Sequence, residues 1–411
     1  MHIEWAEQVS EMVGPVTRPV AEDRDPKRVL RVGYLSSDLW NHVCGDCLEG
    51  MLRAHNRQKV HVTVFQANKY EDSRTEMLRS LADSWVKVAD LRAHEVAERI
   101  EGEGLDIVAD LNGLTSNTPI EALAYTPAPI QVTMMGYPNT TGFRCIDYRI
   151  TDAVCDPEDS TQIYSEKLVR LPTFFLCLPR PQLAQVSVGA APPVVANGFV
   201  TFGSFNNLAK HSAGCQRVWG RLLESMPGSQ LLIKLMLLRE DTQQRWTEEF
   251  VKNAVDKTAP GFSFKSAAKM KAKLKILGDM GKYEDHCKRY DEMDVMLDSW
   301  PYCGTITTSE ALMMGVPVVT LYKPGKDAIH SHNVTASILK QVGLGDLVAA
   351  TEEEFVQIAT NLASNHDRLR ELRATLREKC LETFAAPVPH RFCQELEDAY
   401  RNMWEHYLDT H

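Results

Sequence analysis

The feature that most limits the fold of this chain is a hydrophobic period that switches again and again along its length. Short β-branched and apolar runs alternate with amphipathic stretches. Residues 28–37 (Arg-Val-Leu-Arg-Val-Gly-Tyr-Leu-Ser-Ser) read as a strand followed by a polar turn, with a helix near 46–55. Strand-like Val60–Phe65, helical stretches near 74–84 and at Ala93–Glu103, strand-like Leu105–Leu111, helical Pro119–Tyr125 and strand-like Ile130–Met134 follow. Alternation of this kind predicts an α/β fold built on a parallel, doubly wound sheet.

Between Leu178 and Gly198 the pattern breaks. Pro179, Pro181, Pro192 and Pro193 lie among Ala, Val and Gln with no helical or strand period, which reads as a linker. The alternation then restarts with strand Phe199–Phe202, helix Gln216–Ser225, strand Gln230–Leu237, helix Thr242–Val255, strand Leu274–Leu277, helix Tyr283–Glu292 and strand Asp294–Leu297. A helix around 308–314, strand Val316–Leu321 and further helices complete it, the last at about 390–408 with an aromatic stripe of Phe392, Tyr400, Trp404 and Tyr407 read as core packing. The 411 residues thus divide into a polar leader (1–27), a first Rossmann-like domain (28–178), a linker (179–198), a second Rossmann-like domain (199–388) and a C-terminal helix (389–411).

Forty-five basic against fifty-five acidic side chains give a formal charge of −10, which argues against a nucleic-acid binder. The lysine-rich stretch Lys257–Lys275 reads as a solvated insertion that could still touch an anionic partner. No uninterrupted apolar window spans a membrane and the N-terminus lacks a signal pattern, so the expected location is cytoplasmic, with nuclear entry open and no membrane partner. The ten cysteines read as reduced thiols. Cys44-Gly-Asp-Cys47 resembles half a zinc site or a redox pair, but no second such pair follows.

In a doubly wound sheet, ligands sit beyond the carboxyl ends of the strands, so the loops there carry the candidate chemistry. The turn Tyr302-Cys-Gly-Thr-Ile-Thr-Thr-Ser-Glu310 offers Gly304 for close backbone approach and Thr305, Thr307 and Thr308 beside a helix start, a setting that suits a phosphate. Thr307 and Glu310 equally fit a capping box that needs no ligand. In Gly203-Ser-Phe-Asn-Asn-Leu-Ala-Lys-His211, Lys210 could offset charge developing on a departing diphosphate, or simply be solvated. In Ser36-Ser-Asp-Leu-Trp-Asn-His42, the histidine could act as a general base or bond a backbone carbonyl. Asp23-Arg-Asp25 precedes the first strand and is a poor metal site, and the absence of GxGxxG and GxxxxGK[ST] weighs against dehydrogenases and P-loop enzymes.

Five ordered segments carry a family resemblance: Pro127-Ala-Pro-Ile-Gln131, Gly136-Tyr-Pro-Asn-Thr-Thr-Gly142, Asp147-Tyr-Arg-Ile-Thr-Asp152, residues 199–210 and Met313-Met-Gly-Val-Pro317. Over about residues 28–408 the chain resembles the catalytic region of the O-GlcNAc transferase family. Pro301-Tyr-Cys-Gly-Thr-Ile-Thr-Thr-Ser-Glu310 and His330-Ser-His-Asn-Val334 bring it nearest the SPINDLY branch. The resemblance implies a GT-B fold whose last helix crosses back to the first domain, and inverting transfer of a sugar from a nucleotide donor to protein Ser or Thr. It implies no metal requirement and no cofactor beyond the donor, UDP-GlcNAc or, in the SPINDLY branch, GDP-fucose.

By position, the resemblance makes Lys210 the diphosphate-contacting lysine and places Asn207 where the GlcNAc enzymes carry a donor-side glutamine. It makes His286 a nucleotide contact, Thr307 and Thr308 (with Thr305 beside them) the phosphate-binding pair, and Glu310 the acidic residue of the SPINDLY branch. Tyr283 stands where animal enzymes carry a second donor-site lysine, Leu114 where relatives carry His or Tyr, and Asp46 where animal enzymes carry a second loop histidine. His42 is left as the candidate base. The stretch before the first strand is shorter than one tetratricopeptide repeat of about 34 residues, whereas the family recruits protein substrates through many. A non-catalytic nucleotide-sugar-binding scaffold, and a GT-B epimerase or small-molecule glycosyltransferase, are the competing expectations.

Overall fold

The computed structural model describes residues 1–177, 183, 185–234, 239–255, 264–278, 281–384 and 388–411. The chain divides into two compact units, the first made of Met1–Pro179 and Phe384–His411, the second of Arg180–Thr383.

In the first unit, β1 (Leu30–Ser36), β2 (Val60–Gln66), β3 (Ser84–Lys87), β4 (Ile107–Asp110), β5 (Ile130–Thr133), β6 (Tyr148–Asp152) and β7 (Lys167–Leu171) form one sheet in the order β3-β2-β1-β4-β5-β6-β7. Every pairing in it is parallel. Parallel sheets need cover on both faces, and the strand sequences show it. On β1, Leu30, Val32 and Tyr34 enter one apolar cluster, while Leu35 enters another on the opposite face. The helix Val43–Ala54 covers the first face with Leu48, Met51 and Leu52, joined by Phe392, Leu396, Tyr400, Trp404 and Tyr407 of the C-terminal helix Val388–Thr410. The aromatic stripe is therefore core, and this last helix belongs to the first unit.

Several elements differ from the sequence reading. Residues 1–27, expected as a polar leader, contain the helix His2–Val13, whose Ala6 and Val9 are buried in the second cluster with Trp5 packed beside them. The helix pattern near 74–84 ends at Leu81, and Ser84–Lys87 is a strand. Strands β6 and β7 were not expected at all. Their segments carry Arg149, Lys167 and Arg170, which break the apolar signature of a parallel strand. Arg149 is nonetheless buried, because its guanidinium donates to the carbonyls of Tyr137 and Asn139 at 2.7 and 2.9 Å. The outermost strand β7 is partly exposed and charged, as edge strands commonly are.

The second unit repeats the topology. Strands β8 (Thr201–Ser204), β9 (Gln230–Lys234), β10 (Leu274–Leu277), β11 (Val295–Leu297), β12 (Val318–Leu321) and β13 (Val348–Ala349) run in the order β10-β9-β8-β11-β12-β13, again parallel throughout. Within the linker the short helix Val194–Asn197 forms, against the expectation of no helical period there. Parts of that linker, of the strand expected to reach Leu237 and of the lysine-rich insertion lie outside the described residues. Of the insertion's described lysines, Lys269 and Lys271 are exposed, as a solvated insertion would have them, whereas Lys273 donates to the carbonyls of Leu223, Met226 and Pro227, and Lys275 pairs with Glu292. In each unit the connections diverge on either side of one strand pair, β1/β4 in the first and β8/β11 in the second, and ligand sites of doubly wound folds open there.

Candidate functional site

At the β8/β11 end of the second unit, a buried carboxylate knits three segments together. Asp298 Oδ1 accepts from the Asn206 side-chain amide at 3.1 Å and from the Gly304 N–H at 2.8 Å, while Oδ2 accepts from the Thr320 hydroxyl at 2.7 Å. Burial pushes this carboxyl above the ordinary aspartate range, and the bonds it accepts work in the opposite direction. Asn206 passes the network on, since its amide oxygen accepts from the Thr307 hydroxyl. The loop after β8 and the loop after β11 are thus fixed to one another before any ligand arrives.

Gly304 is the tightest point of this construction. A Cβ there would meet the hydroxyls of Thr308 and Thr307 at 2.5 and 2.9 Å and the Asn206 amide oxygen at 3.1 Å. The helix Ile306–Met313 begins immediately after, with Thr305 at its N-cap and no side-chain cap on its first turn. This overturns the capping-box alternative, because Thr307 bonds Asn206 and Glu310 points elsewhere. Thr308 is fully buried, its hydroxyl 3.0 Å from that of Thr335, whereas Thr305 and Thr307 are partly exposed. Uncapped N–H groups at a helix start form a positive terminus suited to an anion.

Lys210 ends the short turn Leu208–Lys210 that follows β8. Its Nζ donates to the Cys303 carbonyl at 2.9 Å and lies 3.8 Å from the centre of the Tyr302 ring. Burial holds the ammonium below the ordinary lysine range, while Asp298 and Cys303 pull the other way. Asn207 is exposed at the head of the same turn, where its side chain accepts from the Ala209 N–H at 3.0 Å.

His286, on the helix Tyr283–Lys288, and Glu310, on the helix Ile306–Met313, form a second constellation. Glu310 is buried and accepts from the Tyr283 hydroxyl at 2.9 Å and from the Tyr290 hydroxyl and His286 Nε2 at 3.1 Å each. On the other edge of the imidazole, Nδ1 lies 2.8 Å from the Lys234 ammonium. An ammonium has no acceptor, so Nδ1 must be the bare nitrogen and Nε2 carries the proton donated to Glu310. The rings of Phe205, Tyr283 and Tyr290 surround the imidazole with centroids 5.5–6.0 Å away. Sequence reasoning did not find Lys234, Tyr290, Asn206 or Tyr302. Lys234 stands at the end of β9, a position the strand-end rule covers, whereas Tyr290 gives no sequence signal.

His42 lies in the first unit, after β1. It is the N-cap of the helix Val43–Ala54, and its Nδ1 accepts from the Cys44 N–H at 3.3 Å. Its ring stacks on Trp40, with centroids 5.6 Å apart, and the carboxylate of Asp38 is 3.8 Å away. Asp38 is held from β4's loop, where Asn112 donates to it at 2.8 Å and accepts from the Ser37 N–H at 2.8 Å. Leu114, where relatives carry a polar residue, packs partly buried against the second apolar cluster. Cys44 and Cys47 are both buried free thiols, and burial together with neighbouring acidic groups raises the Cys44 thiol well above its ordinary range. Asp46 pairs with Arg74 at 2.8 Å, a buried ion pair that takes it out of the loop chemistry.

Two parallel Rossmann-type sheets, each with a polar strand-end site, define a protein of the GT-B fold class. The chain belongs to glycosyl transferase family 41, whose model matches residues 15–187 and 193–394. It is 37% identical over 390 residues to the SPINDLY protein of Arabidopsis thaliana, named a "probable UDP-N-acetylglucosamine–peptide N-acetylglucosaminyltransferase", covering 93% of this chain and 40% of that one. The Arabidopsis thaliana SEC protein, of the same description, is 29% identical, covering 95% of this chain and 38% of the relative. Among solved structures, a point mutant of the Thermobaculum terrenum O-GlcNAc transferase superposes with a TM-score of 0.88 at 34% identity, covering 100% of this chain and 74% of that one. The chain spans about two fifths of the length of the SPINDLY relatives it matches. Among the described residues, no helix is long and apolar enough to cross a membrane.

Proposed function

We propose that this chain is the catalytic region of an inverting protein O-glycosyltransferase that moves a sugar from a nucleotide diphosphate donor to Ser or Thr hydroxyls of proteins. The observation that carries the reading is the convergence of the Lys210 ammonium with the uncapped start of the helix Ile306–Met313 around Gly304.

In this reading the second unit takes the donor. Lys210, the helix N–H groups and the partly exposed Thr305 and Thr307 receive the diphosphate, with Thr308 holding the loop from beneath. Asn207 contributes from the exposed turn, and His286, oriented by Glu310 and Lys234, contacts the nucleoside. The acceptor hydroxyl oxygen attacks the anomeric carbon as the bond from that carbon to the diphosphate oxygen breaks, which inverts the configuration. The charge left on the diphosphate is offset by Lys210 and the helix start. The hydroxyl proton passes to His42 or to the departing phosphate. These groups supply the charge stabilisation that a divalent metal supplies in other transferases, so the reading includes no metal.

The names of the relatives support UDP-GlcNAc as the donor, and the SPINDLY-like segments at 301–310 and 330–334 make GDP-fucose the donor to test beside it. The deciding experiment is thermal stabilisation by UDP and by GDP over a concentration series, followed by incubation with the matching sugar nucleotide, an acceptor protein and mass spectrometry of the peptides. Stabilisation by one nucleotide and a glycopeptide product establish the reading. Binding without any protein-linked sugar would overturn it in favour of a scaffold or a small-molecule enzyme.

A further inference from the structure

We propose that Asp38, His42 and Cys44 form a binding site for a thiophilic divalent cation, with Zn2+ as its reference ligand, and that its occupation silences His42. The three residues lie within seven positions of each other, yet the loop folds back so that one ligand atom from each is within 4.8 Å of the other two. Carboxylate oxygen, imidazole nitrogen and thiolate sulfur are the donors that zinc prefers. Zinc bonds of about 2.0–2.3 Å set tetrahedral ligand atoms ~3.3–3.7 Å apart, so the present spacing needs to close by about 1 Å. The His42 Nδ1 to Asp38 Oδ2 distance, 3.8 Å, is already near that separation.

A histidine N-cap alone needs no metal, but it does not account for the other features of this loop. The imidazole stacks on Trp40 with ring planes 26° apart, and Asn112 donates to the Asp38 oxygen nearest His42, a bond of the kind by which outer groups orient metal ligands. The charged groups acting on the Cys44 thiol include Asp38, Asp46 and Asp110, all acidic. Arg74 answers Asp46, which leaves Asp38 and the buried Asp110 as the nearer field. A divalent cation would add positive charge directly beside this field.

Binding is a ligand exchange that balances simply. Zn2+ takes the His42 Nδ1 lone pair now offered to the Cys44 N–H, one Asp38 oxygen and the Cys44 sulfur, whose proton goes to solvent. Water completes the fourth position. With Nδ1 coordinated, that nitrogen can no longer accept a proton. The inhibitory consequence rests on the transferase reading, whereas metal binding does not.

The test is titration of the whole chain with Cd2+, followed by the ultraviolet thiolate-to-metal charge-transfer band, and with Zn2+ in competition with a chromophoric chelator. One equivalent should bind with release of one proton, with the band lost in Cys44→Ser and kept in Cys47→Ser. Asp38→Asn should bind at least tenfold more weakly, which decides the matter if Cys44→Ser fails to fold. Absence of a saturable site in the wild type, or an unchanged band in Cys44→Ser, overturns the proposal. Glycosyl transfer should fall with the same midpoint as binding, and one-equivalent binding without inhibition overturns the silencing of His42. If the transferase reading itself fails, no transfer is seen even with chelator present, while the cadmium titration still reports the site.

Discussion

Lys210 donates its ammonium proton to the Cys303 carbonyl at 2.9 Å, so the loops after β8 and β11 are linked by the same cation that the donor diphosphate would claim. A neutral carbonyl is a weaker partner than a diphosphate, and exchanging one for the other concentrates the lysine's charge where negative charge develops.

Lys210→Ala is therefore expected to lower the glycosyl transfer rate by about 10²–10³-fold, the cost typical of removing one preorganised stabiliser of developing charge. The fold should survive, because the loops remain joined through Asp298 and Asn206. Transfer rates and circular dichroism of the same preparation check this; a wild-type rate refutes the role.

Gly304→Ala should destabilise the second unit by about 1–3 kcal/mol, as overpacking of a closed site does. The added methyl would press on the Thr308 and Thr307 hydroxyls, so nucleotide affinity should weaken along with the melting temperature. A variant with unchanged nucleotide stabilisation would show that this turn does not hold the phosphate.

Glu310→Gln sets an amide N–H2 among three donors, the Tyr283 and Tyr290 hydroxyls and His286 Nε2–H. One buried donor loses its acceptor, at a cost of about 1–3 kcal/mol. Loss of stability should come with a smaller thermal shift from UDP or GDP, because the imidazole is no longer oriented. Isothermal titration with the preferred nucleotide separates the two effects.

His211 gives a pH signature. It is buried against Trp219 and Trp246, with ring centroids 5.0 and 5.9 Å away, and burial holds its imidazole down to about 3, with the Lys210 charge acting in the same direction. The unfolded chain protonates this residue near its ordinary value while the folded chain does not, so this contribution is complete above about pH 6.5 and shrinks as pH falls from there towards 3. The slope approaches about 1.4 kcal/mol per pH unit below pH 6.5, so roughly 2 kcal/mol is lost between pH 6.5 and 4.5. Denaturant titrations of the second unit's tryptophan fluorescence at both pH values should show His211→Phe losing less stability than the wild type.

What the sequence determined by itself was the architecture of repeated β and α periods, with Lys210, His42 and residues 304–308 at strand ends. Apolar strands such as Val60–Phe65 and Val316–Leu321 announce themselves because a parallel sheet buries both faces, and such burial dictates residue type locally. Tertiary structure decided what local composition could not. Strands β6 and β7 exist because neighbouring carbonyls receive Arg149 and because an edge strand tolerates charge. The leader folds as a helix because a cluster assembled from distant segments accepts Ala6 and Val9. The capping box disappears because Asn206, a hundred residues from Thr307 in sequence, supplies a better partner for its hydroxyl. Likewise the tautomer of His286 follows from Lys234 and Glu310, which meet only in the folded chain. Hydrophobic period is written residue by residue, whereas hydrogen-bond partners and electrostatic surroundings are properties of space, and only the fold assigns them.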